Sequence, residues 1–142
     1  MRGRAVQVVL VLAGGLVVVI GLWSVMMAGF RASGVPVPPP DLGARWPREV
    51  LRLLVTAAAL ESWLRGAAFA PIAEWQGRTA AITITTALGM FVQAGLPPEA
   101  YAWTLVTGAA FGLLRSSTGS VGGLIIPHAM GAALFSAIAA VR

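Results

Sequence analysis

The sequence contains no cysteine and no lysine, a single histidine, and few charged residues of any kind. Without cysteine there is no disulfide, no thiolate metal site and no thiol nucleophile. Charged residues make up 11% of the 142, against about a quarter in soluble domains. With 58% of residues hydrophobic, a bilayer rather than water is the expected solvent. The basic residues are all arginine, ten against five acids. They are scattered, at positions such as Arg31, Arg52, Arg78, Arg115 and Arg142, with no basic face interleaved with aromatics. No nucleic acid is therefore expected as a partner. Arginines so placed suit the ends of helices at lipid headgroups.

What is present is a series of apolar runs. A membrane helix needs about 20 apolar residues. The first charge-free run covers 5–30, too long for the apolar core of about 7–15 residues of a secretion signal, so an uncleaved first helix is expected. A proline-rich stretch, 33–40, favours an extended connector. The second helix is predicted from Trp46-Pro47 to about residue 70, ended by Pro71, and the third from 78 to the turn Gly95-Leu-Pro-Pro. A fourth covers about 99–114. The fifth, about 118–141, carries Pro127 and should kink near His128. The fold class is thus all-α, a polytopic transmembrane bundle of about five helices. Its organisation is an N-terminal helix (1–32), a linker (33–45) and a four-helix membrane core (46–142).

Glycines four apart, Gly108/Gly112 and Gly119/Gly123, permit close backbone approach in lipid and predict tight packing of helices four and five. Trp46, Trp75 and Trp103 fall near helix ends, as an aromatic belt would place them.

Ionisable side chains inside a membrane cost about 2.5–3.5 kcal/mol on insertion scales, so Glu61, Arg65 and His128 each need a partner or a purpose. Glu61 and Arg65 are four apart, on one helix face and in ion-pairing order; a structural salt bridge explains them without any function. His128 reads first as a hydrogen-bonded packing residue, next as a catalytic residue, and last as an axial ligand to haem or another tetrapyrrole pigment. Zinc is not expected, because it requires three or four protein ligands and only carboxylates remain.

Two segments carry a family resemblance. Leu60-Glu-Ser-Trp-Leu-Arg-Gly is similar to the paired-glutamate motif Glu-Glu-x-x-x-Arg-Gly. The run from Gly108 through Thr118-Gly-Ser-Val to Pro127-His128 is similar to a Gly-x-x-x-Gly, Thr-Gly-Ser-Leu, Pro and His sequence. Together, over about 46 to the C-terminus, the chain resembles the CAAX prenyl protease and bacteriocin-processing (CPBP, or Abi) intramembrane proteases.

The resemblance places that family's first glutamate at Leu60, its second at Glu61 and its arginine at Arg65. A Phe-x-x-x-His motif falls on Gly89 to Gln93, and the closing His-x-x-x-Asn falls on His128 and Ala132. In the family, the first glutamate and the middle histidine are thought to activate water, while the last histidine and asparagine hold the oxyanion. Three of the four roles lack their residue here. The expectation is a catalytically inactive relative, an accessory or scaffold subunit of a larger membrane protein complex, in a cytoplasmic membrane of bacterial type. The alternatives are an active endopeptidase using Glu61 and His128, and a pigment- or haem-binding subunit with His128 as ligand.

Overall fold

A computed structural model describes residues 2–34, 46–92 and 98–139. Every regular element among them is helical: α1 (Arg2–Ala32), α2 (Trp46–Glu61), a π-helical stretch (Ser62–Ala68), α3 (Phe69–Val92), α4 (Pro98–Thr118), a 3₁₀ turn (Gly122–Leu124) and α5 (Ile125–Ala139). The all-α class holds. Two runs are long and apolar enough to cross a membrane, Ala5–Gly29 and Pro47–Val92, while Gly122–Phe135 is a shorter apolar helix. Five crossings are not reached by that measure. The linker beyond residue 34 and the turn at 93–97 lie outside the described residues.

The second run corrects the expected helix end at Pro71. The chain stays helical through Pro71 because the turns just before it widen into the π-helix. In a regular α-helix the proline ring collides with the carbonyl four residues back; a π-turn shifts the bonding register by one residue and relieves that contact. The 46 residues of Pro47–Val92 would extend about 69 Å as one straight helix, more than twice a bilayer core. The chain instead breaks at Gly77, whose φ of 86° and ψ of 167° lie in a region open essentially to glycine alone. The limb after the break folds back along the limb before it. Arg65 reaches the carbonyl of Thr85, and Leu64 lies against Gly89.

The glycine pairs serve other neighbours than expected. A Cβ on Gly108 would stand 2.9 Å from Thr86 Cγ2, and one on Gly112 would stand 3.0 Å from Ile82, so this stripe joins α4 to α3. At Gly123 a Cβ would meet the Val8 carbonyl at 2.7 Å, so it seats α1. Gly119, at φ 74°, closes α4, its N–H donating to the Arg115 carbonyl at 2.9 Å. Helices four and five are therefore not the pair in closest backbone contact.

Pro127 does not kink a long fifth helix either. The α-helix starts at Ile125, after the 3₁₀ turn, so Pro127 occupies the first turn, where an N–H has no partner in any case. Its buried ring packs on α1 at Gly15. Val11, Val19, Phe111 and Leu124 form the core, with Trp103 packed against it. Trp103 therefore serves packing, stacked near Phe135 with centroids 6.0 Å apart. Trp75 is 80% exposed, as a belt residue would be. The side chain of Trp46 lies outside the described set.

Candidate functional site

Folding the Pro47–Val92 run back at Gly77, with α5 laid across α2, brings the ionisable residues of the apolar interior together. His128 leaves the first turn of α5, and its Nδ1 lies 2.6 Å from Oε1 of Glu61, the last residue of α2. Glu61 is 1% exposed. A buried carboxylate requires a charged or donating partner, and His128 is that partner. The Phe111 ring stands beside the imidazole with centroids 6.1 Å apart.

The expected Glu61–Arg65 ion pair does not form. Arg65 instead turns to backbone oxygens: Nη2 donates to the Gly108 carbonyl at 2.8 Å and Nη1 to the Thr85 carbonyl at 3.4 Å. One guanidinium thus ties the π-helix to both α3 and α4. The close approach requires glycine at 108, where a Cβ would fall 3.3 Å from Nη2 and 3.2 Å from Thr86 Oγ1. The backbone of Arg65 is engaged as well, its carbonyl accepting from Arg115 Nε at 2.9 Å. Both arginines thus meet at the π-helix, a conformation found mostly as single turns, often at functional sites.

Glu61, Arg65, Gly108, Phe111 and His128 border a cavity of about 360 Å³. Its polar wall includes Glu61, Arg65, Thr86, Thr107 and His128, with Arg52, Thr56 and Thr104 also on the lining; its apolar wall includes Leu53, Leu60, Trp103, Phe111, Ala132 and Phe135. Among the described residues three buried polar atoms have no protein partner: Glu61 Oε2, Arg65 Nε and Thr86 Oγ1. In a membrane interior such atoms stand out, since most buried polar groups are bonded. The Thr107 hydroxyl, by contrast, donates to the Trp103 carbonyl.

Five of the six residues singled out from the sequence, Leu60, Glu61, Arg65, His128 and Ala132, line this one cavity. Gln93 lies outside the described residues. Sequence reasoning missed Thr85, Thr86, Gly108 and Arg115 as members of the polar cluster. The threonines of Thr83-Ile-Thr-Thr, in an otherwise apolar run, were the clue. Among the described residues no group of three or more His, Cys, Asp or Glu is placed to hold a metal.

An imidazole oriented by a carboxylate is the arrangement that fixes a histidine tautomer. With Nδ1–H donated to Glu61, Nε2 is left as an acceptor; it has no hydrogen-bond partner among the described residues. Chemically the cavity offers one imidazole oriented by a carboxylate. At Leu60 and Ala132 its wall is apolar, a leucine side chain and a methyl group.

No curated protein and no solved structure matches the chain. The family described as Type II CAAX prenyl endopeptidase Rce1-like matches it over residues 44–134, from just before α2 into α5 and across the whole cavity except Val19 and Phe135. Taken with the two apolar runs, that match assigns the chain to the membrane. It belongs to the Type II CAAX prenyl endopeptidase Rce1-like family.

Proposed function

We propose that the chain is a membrane-embedded, catalytically silent member of this family that binds rather than cleaves, as a small accessory subunit of a larger membrane complex. The observation that carries this reading is the cavity wall. Leu60 and Ala132 border the cavity at the two places where the resemblance puts a base and an oxyanion-holding amide. Leucine accepts no proton and alanine donates none. A missing general base is worth about 10²–10⁴ in rate and a missing oxyanion donor about 10²–10³. The two losses do not simply multiply, because residues of one catalytic unit act together.

What the site keeps is its architecture. The Arg65 clamp and the Glu61–His128 pair tie the helices together around a recess of about 360 Å³, within the size range of ligand pockets. On the outside, Val9, Leu10, Val17 and Val25 of α1 are exposed, as befits a helix covered by lipid or by a neighbouring helix.

The test combines isolation in mild detergent with a peptidase assay on prenylated and unmodified membrane peptides. A defined assembly larger than the chain, without cleavage, is expected. Cleavage by the unmodified protein that disappears in His128→Ala overturns this reading. That outcome would favour the second one, an endopeptidase in which Glu61 aligns His128 as the base. The second reading is favoured by the 2.6 Å contact between them and by the unpartnered Nε2.

A further inference from the structure

A second recess lies apart from the Glu61–His128 pair, beside the break at Gly77. It measures about 330 Å³, and its walls include Phe69, Ala73, Glu74, Arg78, Arg115 and Ser116. Arg115 is fixed in place there. Its Nε donates to the Arg65 carbonyl at 2.9 Å, and its guanidinium carbon lies 5.8 Å from the centre of the Phe69 ring. These contacts orient the fork and use one of its five N–H groups. Among the described residues the terminal nitrogens of Arg115 have no hydrogen-bond partner, and Arg78 is exposed and forms no ion pair. Glu74 shares the recess, yet pairs with neither arginine.

Two unpaired guanidiniums and an unpaired carboxylate around one recess fit a ligand carrying both signs of charge. Arginine forks match phosphate oxygens in geometry as well as charge. The carboxylate suits an ammonium. The recess also sits at the level where a long apolar run reverses, next to Trp75, which is 80% exposed. Such a tryptophan belongs at the headgroup layer.

We propose that this recess binds the headgroup of a phospholipid bearing a primary amine, a phosphoethanolamine group. Its phosphate lies on Arg115 and Arg78 and its ammonium on Glu74. Phe69 and Ala73 provide apolar surface for the glycerol end. The inference is independent of whether the protein cleaves anything.

The experiment follows thermal unfolding of the purified chain in detergent with added phosphatidylethanolamine, phosphatidylcholine, phosphatidylglycerol or soluble phosphoethanolamine. Phosphatidylethanolamine is expected to raise Tm by about 3–6 °C, the others by clearly less. Trimethylation removes the N–H donors of the choline lipid, and the glycerol lipid has no ammonium. Glu74→Gln should abolish the preference for ethanolamine over choline, and Arg78→Gln should remove most of the stabilisation by either. Both side chains are exposed, so these variants are expected to fold even if replacing Arg115 disturbs the π-helix. Equal stabilisation by choline or glycerol lipid overturns the proposal, as does a preference that survives Glu74→Gln. Soluble phosphoethanolamine acting as strongly as the lipid overturns the assignment to a membrane ligand.

Discussion

Glu61 and His128 are 67 positions apart in sequence, yet they meet at 2.6 Å, Nδ1 to Oε1, across the middle of the bundle. The contact joins the end of α2 to the start of α5 and takes the place of the helical ion pair that Glu61 and Arg65 would make by spacing alone. Arg65 is released to bind the backbone of two other helices.

A stability cycle on this pair has a definite expected form. His128→Ala strands a carboxylate whose other oxygen already lacks a partner, at a cost of about 3 kcal/mol. Glu61→Gln retains an acceptor for Nδ1–H without the charge, and should cost about 1–2 kcal/mol. Denaturant unfolding in detergent should show the double variant less destabilised than the sum of the singles. Strict additivity would mean the contact contributes nothing.

The close approaches at glycine predict a graded series. Gly123→Ala drives a Cβ against the Val8 carbonyl, a backbone atom that cannot rotate away, and should cost about 2–3 kcal/mol. Gly108→Ala meets side-chain atoms of Thr86 and Arg65, which yield in part, and about 1–2 kcal/mol is expected. Gly21→Ala meets nothing within 4 Å and should be neutral or stabilising by up to about 1 kcal/mol. Thermal unfolding of the three variants under one condition checks the order.

Replacing Gly77 tests the reversal of the Pro47–Val92 run. Alanine at its φ and ψ is strained by about 1–3 kcal/mol, while no atom lies within 4 Å of the added Cβ. Any destabilisation of Gly77→Ala is thus conformational rather than steric. An unchanged melting temperature would show that the chain reverses by another route.

Catalytic silence is tested by repair. Leu60→Glu, Gln93→His and Ala132→Asn together should give detectable peptide hydrolysis, read by mass spectrometry of the products, whereas each alone should give none. Hydrolysis by a single variant would show that fewer roles had been lost.

The sequence revealed the helical membrane class through its long charge-free runs, and the site through its ionisable residues. Charge in an apolar interior is costly enough that its positions are informative. The partners of those residues were less legible. Spacing along one helix pairs Glu61 with Arg65, but the tertiary contact with His128 prevails, and nothing local in the sequence encodes it. Pro71 and Pro127 misled for a related reason. Proline forbids a regular helical interior, yet a π-turn before Pro71 and a helix start at Ile125 both satisfy it without ending or bending the helix. The Gly108/Gly112 repeat announced a close helix contact without identifying the neighbour, because a small residue specifies distance and not partner.

The π-helix of Ser62–Ala68 amounts to one residue more than a regular helix would use between Glu61 and the Gly77 break. The segment therefore holds a spare residue. Deleting one there, such as the exposed Ala67, would let it relax to an ordinary α-helix with Glu61 still in register with the Gly77 break, whereas deleting Ala73, in the regular turns that follow, would rotate Glu61 by about 100° relative to that break. In a deletion scan, coupling between Glu61 and His128 should survive the first deletion and vanish with the second, while both chains remain helical.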